Sequence, residues 1–562
     1  MTGRTVGRRG QTGPVFIVLL RASAGEVTAT RLDDAGTVMG AEPVPDLPAF
    51  VRAEEPAHPR WVWDDTARWY PALLAAGVRV ERCFDLRLCH VILRNSALTA
   101  ESPLARAQAG PWDAAAATLP TPDDTGALFS LDEERPLVAE AEPSAEFAAQ
   151  RAAVAASAEP GRIGLLLAAE SAGALIAAEM RFAGLPWRAD RHDEILTGLL
   201  GGRGSGERPA KVQALLQEVR AHLEAPDLNP DSPGDLLRAL GRAGLGATST
   251  RSRELKLLKH PAIAPLLEYK KLSRLLAANG WHWLETWVHD GRFRPDYVPG
   301  GVVTGRWATS GGGALQLPRQ VRSAVVADEG WKLVVADASQ LEPRILAALA
   351  GDRGMLAAGA AGDLYAGIVA SGAVQTRDQA KVGMLGAMYG GTSGESGRLL
   401  PRLEKVYGRA IGLVEDAARA GERGEIVTTR LGRSSPPGRP PGFDELASAA
   451  EAARARERAR AWGRFTRNFV VQGTAAEWAL CWMAGVRRGL HELSGGAWLT
   501  DAAHLVFFLH DEIVVHCPAP QAEEVAAIVR GAAAEAGRLL FGSIPAQFPV
   551  TLAIVDDYGE AK

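Results

Sequence analysis

Cysteine is scarce and badly spaced for chemistry. Cys83, Cys89, Cys481 and Cys517 form no C-x-x-C pair and have no paired histidines nearby. That speaks against a zinc site or a disulfide framework and points to a reducing cytosol. No uninterrupted apolar run reaches the roughly 18 to 20 residues that span a bilayer, so the sequence predicts a soluble, cytoplasmic globular protein without a membrane partner. The basic start "MTGRTVGRRGQTGP" leads into "VFIVLL", too short for a signal peptide and read as a first strand. No fixed-period repeat is present, so a solenoid is not supported. Strong charge of one sign is also missing, since the net charge is -4. Residues 1–160 carry 15 Lys and Arg against 22 Asp and Glu, which leaves the remainder slightly basic. Nucleic-acid binding therefore has to be judged from local placement.

The chain has 562 residues, 47% of them apolar, enough for several domains with a large core. Its first 150 residues read as strands and short helices: "PVFIVLLRA", "EVTATRLD", "WVWDD", the helix "TARWYPALLAAG", then "VRVERCFDLRLCHVIL". The acidic, Pro- and Ala-rich "PTPDDTGALFSLDEERPLVAEAEP" resembles a linker, and helical periodicity follows it. "GGRGSGERP", at 201–209, reads as a loop. From Arg294 onward the pattern becomes strand, loop and helix. "GWKLVVADASQLEPRILAALAGD" predicts a buried strand, Lys332 to Ala336, ending on Asp337, and then a helix. Ser339 and Glu342 have capping-box spacing, with Pro343 in the first turn. "QTRDQAKVGMLGAMYGG", at 375–391, predicts a helix with Arg377, Lys381, Leu385 and Tyr389 along one broad face.

"LVFFLHDEIVVHC", at 505–517, breaks an apolar strand or hairpin with His510, Asp511 and Glu512. A buried carboxylate requires a cation, a donor set or a metal beside it. If the strand ends bearing Asp337 and Asp511 are neighbours, the two acids repel unless divalent cations lie between them. Mg²⁺ suits such a pair, because it takes one or two carboxylates together with phosphate oxygens and water. Arg377 and Lys381 would then hold phosphates.

These segments together resemble family A DNA polymerases of the DNA polymerase I type. "DASQLEPR" (337–344) is similar to motif A, "RDQAKVGMLGAMYGG" to motif B, and "HDE" (510–512) to motif C. "VTGRWATS" with "ALQLPRQVR", "EYKKLSRLL" and "RFTRNFVVQGTAAEW" extend the likeness, in order, over roughly residues 160 to 562. The resemblance implies an α/β (α+β) right-hand fold of palm, fingers and thumb, preceded by a ribonuclease-H-like exonuclease-type domain at 1–150. Within 151–562 it implies a thumb at about 190–290, a palm at about 291–350 and 465–562, and fingers at about 351–464. It makes Asp337 and Asp511 the ligands of two Mg²⁺ ions, with Mn²⁺ as an alternative, and Glu512 their catalytic support. Gln340, Glu342, Tyr365, Arg377, Lys381, Leu385 and Tyr389 become nucleotide-binding, with Glu342 crowding the sugar 2′ position. Arg306, Arg464, Asn468, Gln472 and His510 would contact primer-template DNA. The implied activity is addition of deoxynucleotides, from their triphosphates, to a primer 3′ end in replication or repair, by a monomer.

The departures are specific. Ala338 replaces the family's motif A tyrosine, Met384 and Leu385 its motif B asparagine and phenylalanine, and Tyr365 its histidine before the fingers helix. They raise the competing reading of a non-catalytic primer-template-binding protein. In the amino-terminal region the first strand lacks the Asp-x-Glu that 3′-5′ exonucleolysis needs for two metals, and Asp85 is the one later carboxylate retained. That region is expected to be scaffold without proofreading. Arg251, Arg253, Lys256 and Lys259 form either a backbone-binding thumb tip or a solvated loop.

Overall fold

The computed structural model describes residues 15–22, 25–113, 142–203, 208–391, 394–438 and 449–561. The basic start, nearly all of the linker-like stretch and the centre of the loop at 201–209 lie outside the described residues.

The amino-terminal unit is built on β1 (Phe16–Arg21), β2 (Val27–Leu32), β3 (Val38–Pro43), β4 (Arg60–Trp63) and β5 (Cys83–Asp85), in the order β3-β2-β1-β4-β5. β1, β4 and β5 run parallel, and β2 and β3 are antiparallel additions at one edge. Asp65 caps α1 (Thr66–Ala75) through the Ala67 amide, and Asp85 caps α2 (Leu86–Asn95) through the Leu88 amide. A short acceptor at a helix start satisfies amides that have no partner within the helix, which is why an aspartate stands at each of these strand-to-helix turns. The helix Pro143–Ala156 also belongs here. Its Phe147 packs edge-on against Phe16 and Phe84, at 5.1 and 5.2 Å between ring centres, so a boundary drawn at 150 falls inside this helix.

α3 (Pro160–Ala183) is the helix that the periodicity predicts. It is long and apolar enough to cross a membrane by length and composition, although 72% of its most apolar stretch is buried inside the protein. Glu170 and Glu179 interrupt its apolar sequence. Both are buried and paired, Glu170 with Arg433 at 2.6 Å and Glu179 with Arg487 and Arg79 at 2.7 and 2.9 Å. Tyr70 also donates to Glu179, at 2.6 Å. Against the penalty of burial, the two guanidiniums hold the Glu179 carboxyl far below the usual range. This cluster fastens the amino-terminal unit, through Tyr70 and Arg79, to the long helix that carries Arg487.

Beyond α3, α4 (Ala210–His222) and α5 (Ile263–Asn279) enclose a separate small core of Val219, Leu236, Leu255 and Leu266. Arg251, Arg253, Lys256 and Lys259 are all exposed on the segment between them.

The central sheet comprises β6 (Trp331–Ala338), β7 (His504–Leu509), β8 (Glu512–Pro518) and β9 (Val550–Val555), all antiparallel, in the order β7-β8-β6-β9. α6 (Leu341–Ala350) leaves β6 after Gln340, whose φ is 56° and whose side chain makes no cap. The expected capping box is therefore not formed. The Ser339 hydroxyl instead meets Thr551 of β9 at 2.7 Å, so the tertiary contact takes the cap residue away from its helix. α7 (Leu364–Ala370), α8 (Arg377–Tyr389), α9 (Gly408–Glu422) and α10 (Ala449–Ser494) follow, and α11 (Ala522–Phe541) covers one face of the sheet. α8 matches its predicted helix, opened by a Thr376 cap and closed by Gly390 at φ 73°.

Candidate active site

The register of β6 against β8 places Asp337 opposite Glu512, and the Ala338 amide donates to the Asp511 carbonyl at 2.9 Å. Asp337 and Asp511 thus stand at the same end of adjacent strands, both half-buried. The β7–β8 connection is a tight hairpin turn, His510-Asp511. His510 has φ 61°, and the Asp511 amide donates back to the Leu509 carbonyl at 2.8 Å, the marks of a strained γ-turn. The Tyr297 hydroxyl braces the strand below, donating to the Phe508 carbonyl at 2.5 Å and accepting from its amide at 2.9 Å. Gln340 at φ 56° and His510 are two of the five described non-glycine residues with positive φ, and each lies within three residues of one of the two acids. Backbone strain of this kind persists only where surrounding structure enforces it, and it concentrates at functional sites.

Glu512, opposite Asp337 in the ladder, is held in the interior. It is 2% exposed and accepts hydrogen bonds from Arg322, at 3.1 Å, and from the Tyr558 hydroxyl. The Arg322 guanidinium also lies 4.5 Å from the centre of the Tyr558 ring. These are the cation and donor that the apolar strand around "HDE" demands. Neither residue was singled out from sequence, because each is remote in the chain.

A cavity of about 580 Å³ opens beside Asp511 and is lined by Arg306, Glu342, Tyr389, Gln472 and His510 among others. Glu342 accepts from the Tyr389 hydroxyl at 2.5 Å and from Arg306, so one carboxylate ties α6 to α8 and to the loop before β6. Burial, reinforced by Glu342, pushes Tyr389 up to about 12. Burial also lowers His510, with the Arg306 charge adding to the effect.

α8 presents Arg377 and Lys381 to solvent and keeps Leu385 half-buried, while Ala380, Gly383, Met384, Ala387 and Met388 face the core. The departure at Met384 is therefore a packing change. Arg377 meets Asp363 at 2.7 Å and lies 5.6 Å over the ring of Tyr365, itself 6% exposed and pushed up to about 12 by burial. Gln340 does not enter the cavity. Its amide donates to Asp363 at 2.8 Å and its carbonyl accepts from the Leu364 amide at 2.8 Å. Against burial, bonds from Arg377, the Ala366 amide and Gln340 hold Asp363 down at about 2. Asp363 was missed from sequence, and its N-cap position before α7 was the available signal. On α10, the Arg464 stem lies over Gly390, where a Cβ would stand 3.0 Å from it. Asn468 Oδ1 is buried without a hydrogen-bond partner among the described residues.

In the amino-terminal unit Asp85 has a neighbour that the sequence reading did not count. Asp65 lies close enough that its charge, after burial, raises the Asp85 pKa. Arg87 stands 3.2 Å from Asp65, both acids cap helices, and β1 supplies no third carboxylate.

Residues 205–554 match the family model described as DNA polymerase family A. The chain belongs to that family. A thermostable DNA polymerase I of Thermus thermophilus is 29% identical over 399 residues, covering 63% of this chain and 44% of the relative. DNA polymerase I of Chloroflexus aurantiacus is 28% identical over 324 residues, covering 52% and 32%. The chain thus spans less than half the length of these relatives. The polymerase domain of Pol1 from M. smegmatis, solved in complex with DNA primer-template and dNTP, superposes with a TM-score of 0.65 at 18% identity, covering 98% of this chain and 97% of that one. The fold is accordingly the α/β architecture of a family A polymerase domain.

Proposed function

We propose that this family A member is a template-directed DNA polymerase that extends a primer 3′ end with deoxynucleotides and does not proofread. The observation that carries the reading is the placement of Asp337 and Asp511 at one end of two adjacent inner strands, beside a cavity walled by α6, α8 and α10. Mg²⁺ needs only one or two carboxylates, since that ion completes its shell with substrate phosphates and water. The two half-buried carboxylates offer the hard oxygen donors it takes. When bound there, two Mg²⁺ or Mn²⁺ ions would activate the primer 3′-hydroxyl and steady the departing pyrophosphate.

The remaining roles belong to the chain's own groups. Arg377 and Lys381, one turn apart on the exposed face of α8, would grip the triphosphate, with Arg377 exchanging Asp363 for phosphate. Glu342, held by Tyr389 and Arg306, would form the floor under the sugar 2′ position. Leu385 would offer apolar contact and Tyr365 a buried wall. Gln340 would act at one remove, by positioning Asp363. Arg306, Arg464, Asn468, Gln472 and His510 would touch the primer-template where contacts position DNA without reading its sequence. The segment at about 190–290, with its basic tip, would serve as thumb, 351–464 as fingers, and the strands around Asp337 and Asp511 as palm.

Primer extension tests the reading. Asp337→Asn and Asp511→Asn should each abolish extension and leave primer-template affinity within a few-fold, because phosphate contacts supply most of the binding. Near-normal extension by both variants would end the assignment. Given Mg²⁺ and a mismatched primer without dNTPs, the protein should leave the primer intact. Shortening that persists in Asp337→Asn would show that the amino-terminal unit is an active nuclease.

A further inference from the structure

α10 is one continuous helix of 46 residues, and the proposed DNA contacts occupy only its middle. Arg464, Asn468 and Gln472 stand at four-residue intervals, which puts them in one slanting row along the helix. Arg460 and Arg456 continue that row toward the amino-terminal end. From Arg456 to Gln472 it covers 17 residues, about 24 Å of helix. Arg454 and Arg458 flank it on the adjoining face.

Beyond Trp462, which packs against Gly438, this part of α10 extends past α9. α9 packs antiparallel against α10, with Arg467 bonded to Glu415, Thr466 bonded to the Ala417 carbonyl, and Gly463 facing Glu422, the last residue of α9. Residues 449–462 therefore run on past the end of α9. Arg454, Arg456, Arg458 and Arg460 are all exposed, with Ala452, Ala455 and Ala459 half-buried beneath them. None of the four arginines forms an ion pair with a described residue, although Glu451 and Glu457 lie on the same arm. Four exposed guanidiniums on a 14-residue arm form a polycationic surface suited to a polyanion, and their row is continuous with Arg464, which rests on Gly390 beside Tyr389.

We propose that this arm binds the phosphates of the unpaired template strand ahead of the active site. The inference rests on the polymerase reading and names a partner for a surface that reading leaves unused. Gln472 lines the cavity beside Asp511, where the new pair would form. The row leads from there past the end of α8 onto an arm that no described element covers. A strand followed in that direction leaves the palm, so the arm meets template that has not yet been copied.

The test compares two primer-templates with the same duplex, one with a template overhang of about 2 nucleotides and one of about 12. Binding is read by fluorescence anisotropy over a salt series in Ca²⁺. The wild-type protein should bind the long overhang several-fold more tightly. In R456A/R460A that advantage should disappear, affinity for the short overhang should hold, and the slope of log K against log salt on the long overhang should fall by about 1.4, as expected for two lost single-strand phosphate contacts. R456K/R460K should keep most of the advantage, which excludes misfolding as its cause. Retention of the full advantage in R456A/R460A, or equal weakening on both substrates, would overturn the proposal while leaving primer extension on short overhangs to stand. A wild-type protein that extends no primer would remove the polymerase reading instead.

Discussion

Arg377 and Gln340 converge on one carboxylate, that of Asp363, at 2.7 and 2.8 Å. The ion pair joins α8 to the start of α7, while Gln340 fixes Asp363 to the strand end that bears Asp337. A triphosphate reaching Arg377 has to compete with Asp363. Asp363→Asn keeps an acceptor for the α7 amides and for Gln340 and removes the competing charge. The pair is 53% and 38% exposed, so its release contributes about 1 kcal/mol or less. The apparent KM for dNTPs should fall by at most about fivefold at unchanged kcat, read from single-nucleotide incorporation kinetics. An unchanged or higher KM would show that Asp363 orients Arg377 and does not oppose its ligand.

Glu512 depends on Arg322 and Tyr558. Arg322→Met leaves a carboxylate that is 2% exposed without its cation, and breaking a buried pair from one side costs about 3 to 5 kcal/mol. Chemical denaturation should show a loss of that order. The double variant R322M/E512Q should recover much of it, since the uncompensated charge is gone. Without such recovery, Arg322 matters through packing alone.

A second buried polar group lies at the far end of the same sheet. His504 donates from Nδ1 to the Ala502 carbonyl at 2.7 Å and meets His516 edge-on, while His516 stacks on Trp331 at 4.5 Å. Burial lowers both imidazoles, His504 to about 4. Below about pH 6.5 the unfolded chain takes up protons at these positions and the folded chain does not. Their contribution is thus complete above pH 6.5 and declines as pH falls toward 4. Glu477, raised to about 7 by burial, acts with the opposite sign in the same window, so the effect has to be read by difference. The stability advantage of wild type over His504→Gln should shrink steadily between pH 6.5 and pH 4. A difference independent of pH would mean that His504 does not titrate with unfolding.

What the sequence disclosed follows the range of the forces involved. A polar break inside an apolar strand located Asp511, and a four-residue period gave the exposed face of α8, because both patterns are written in consecutive residues. Arg322 lies 190 residues from Glu512, and Tyr558 comes from the last turn of the chain, so no local pattern announces either. The capping box at Ser339 failed for a related reason. Its local preference is to cap a helix, and the contact with Thr551 outweighs it. Helical periodicity disclosed α3 but not the burial of its glutamates, whose partners Arg433 and Arg487 arrive from elsewhere in the chain.

Leu385 tests how far the altered fingers helix changes nucleotide binding. It stands one turn beyond Lys381, half-buried and leaning on the core, where the family's aromatic ring would face the incoming nucleotide. Stacking of a base on an aromatic ring is worth about 1 to 3 kcal/mol in single-strand binding, and leucine supplies only apolar contact. Leu385→Phe should therefore lower the apparent KM for dNTPs several-fold, on the order of 1 kcal/mol. The neighbours set the condition for that gain. Met384 is 0% exposed and Ala338 is 2% exposed, so both belong to the packed interior, and the added ring has to project outward from α8. If the core holds the side chain inward, the larger ring strains the packing by about 1 to 3 kcal/mol and misplaces Lys381 and Tyr389 on the same face. Single-turnover kinetics separate the two outcomes. Earlier half-saturation at an unchanged plateau assigns the stacking position to residue 385, whereas a lower plateau with unmoved half-saturation shows a pocket rebuilt around leucine, in which nucleotide is held by its phosphates at Arg377 and Lys381.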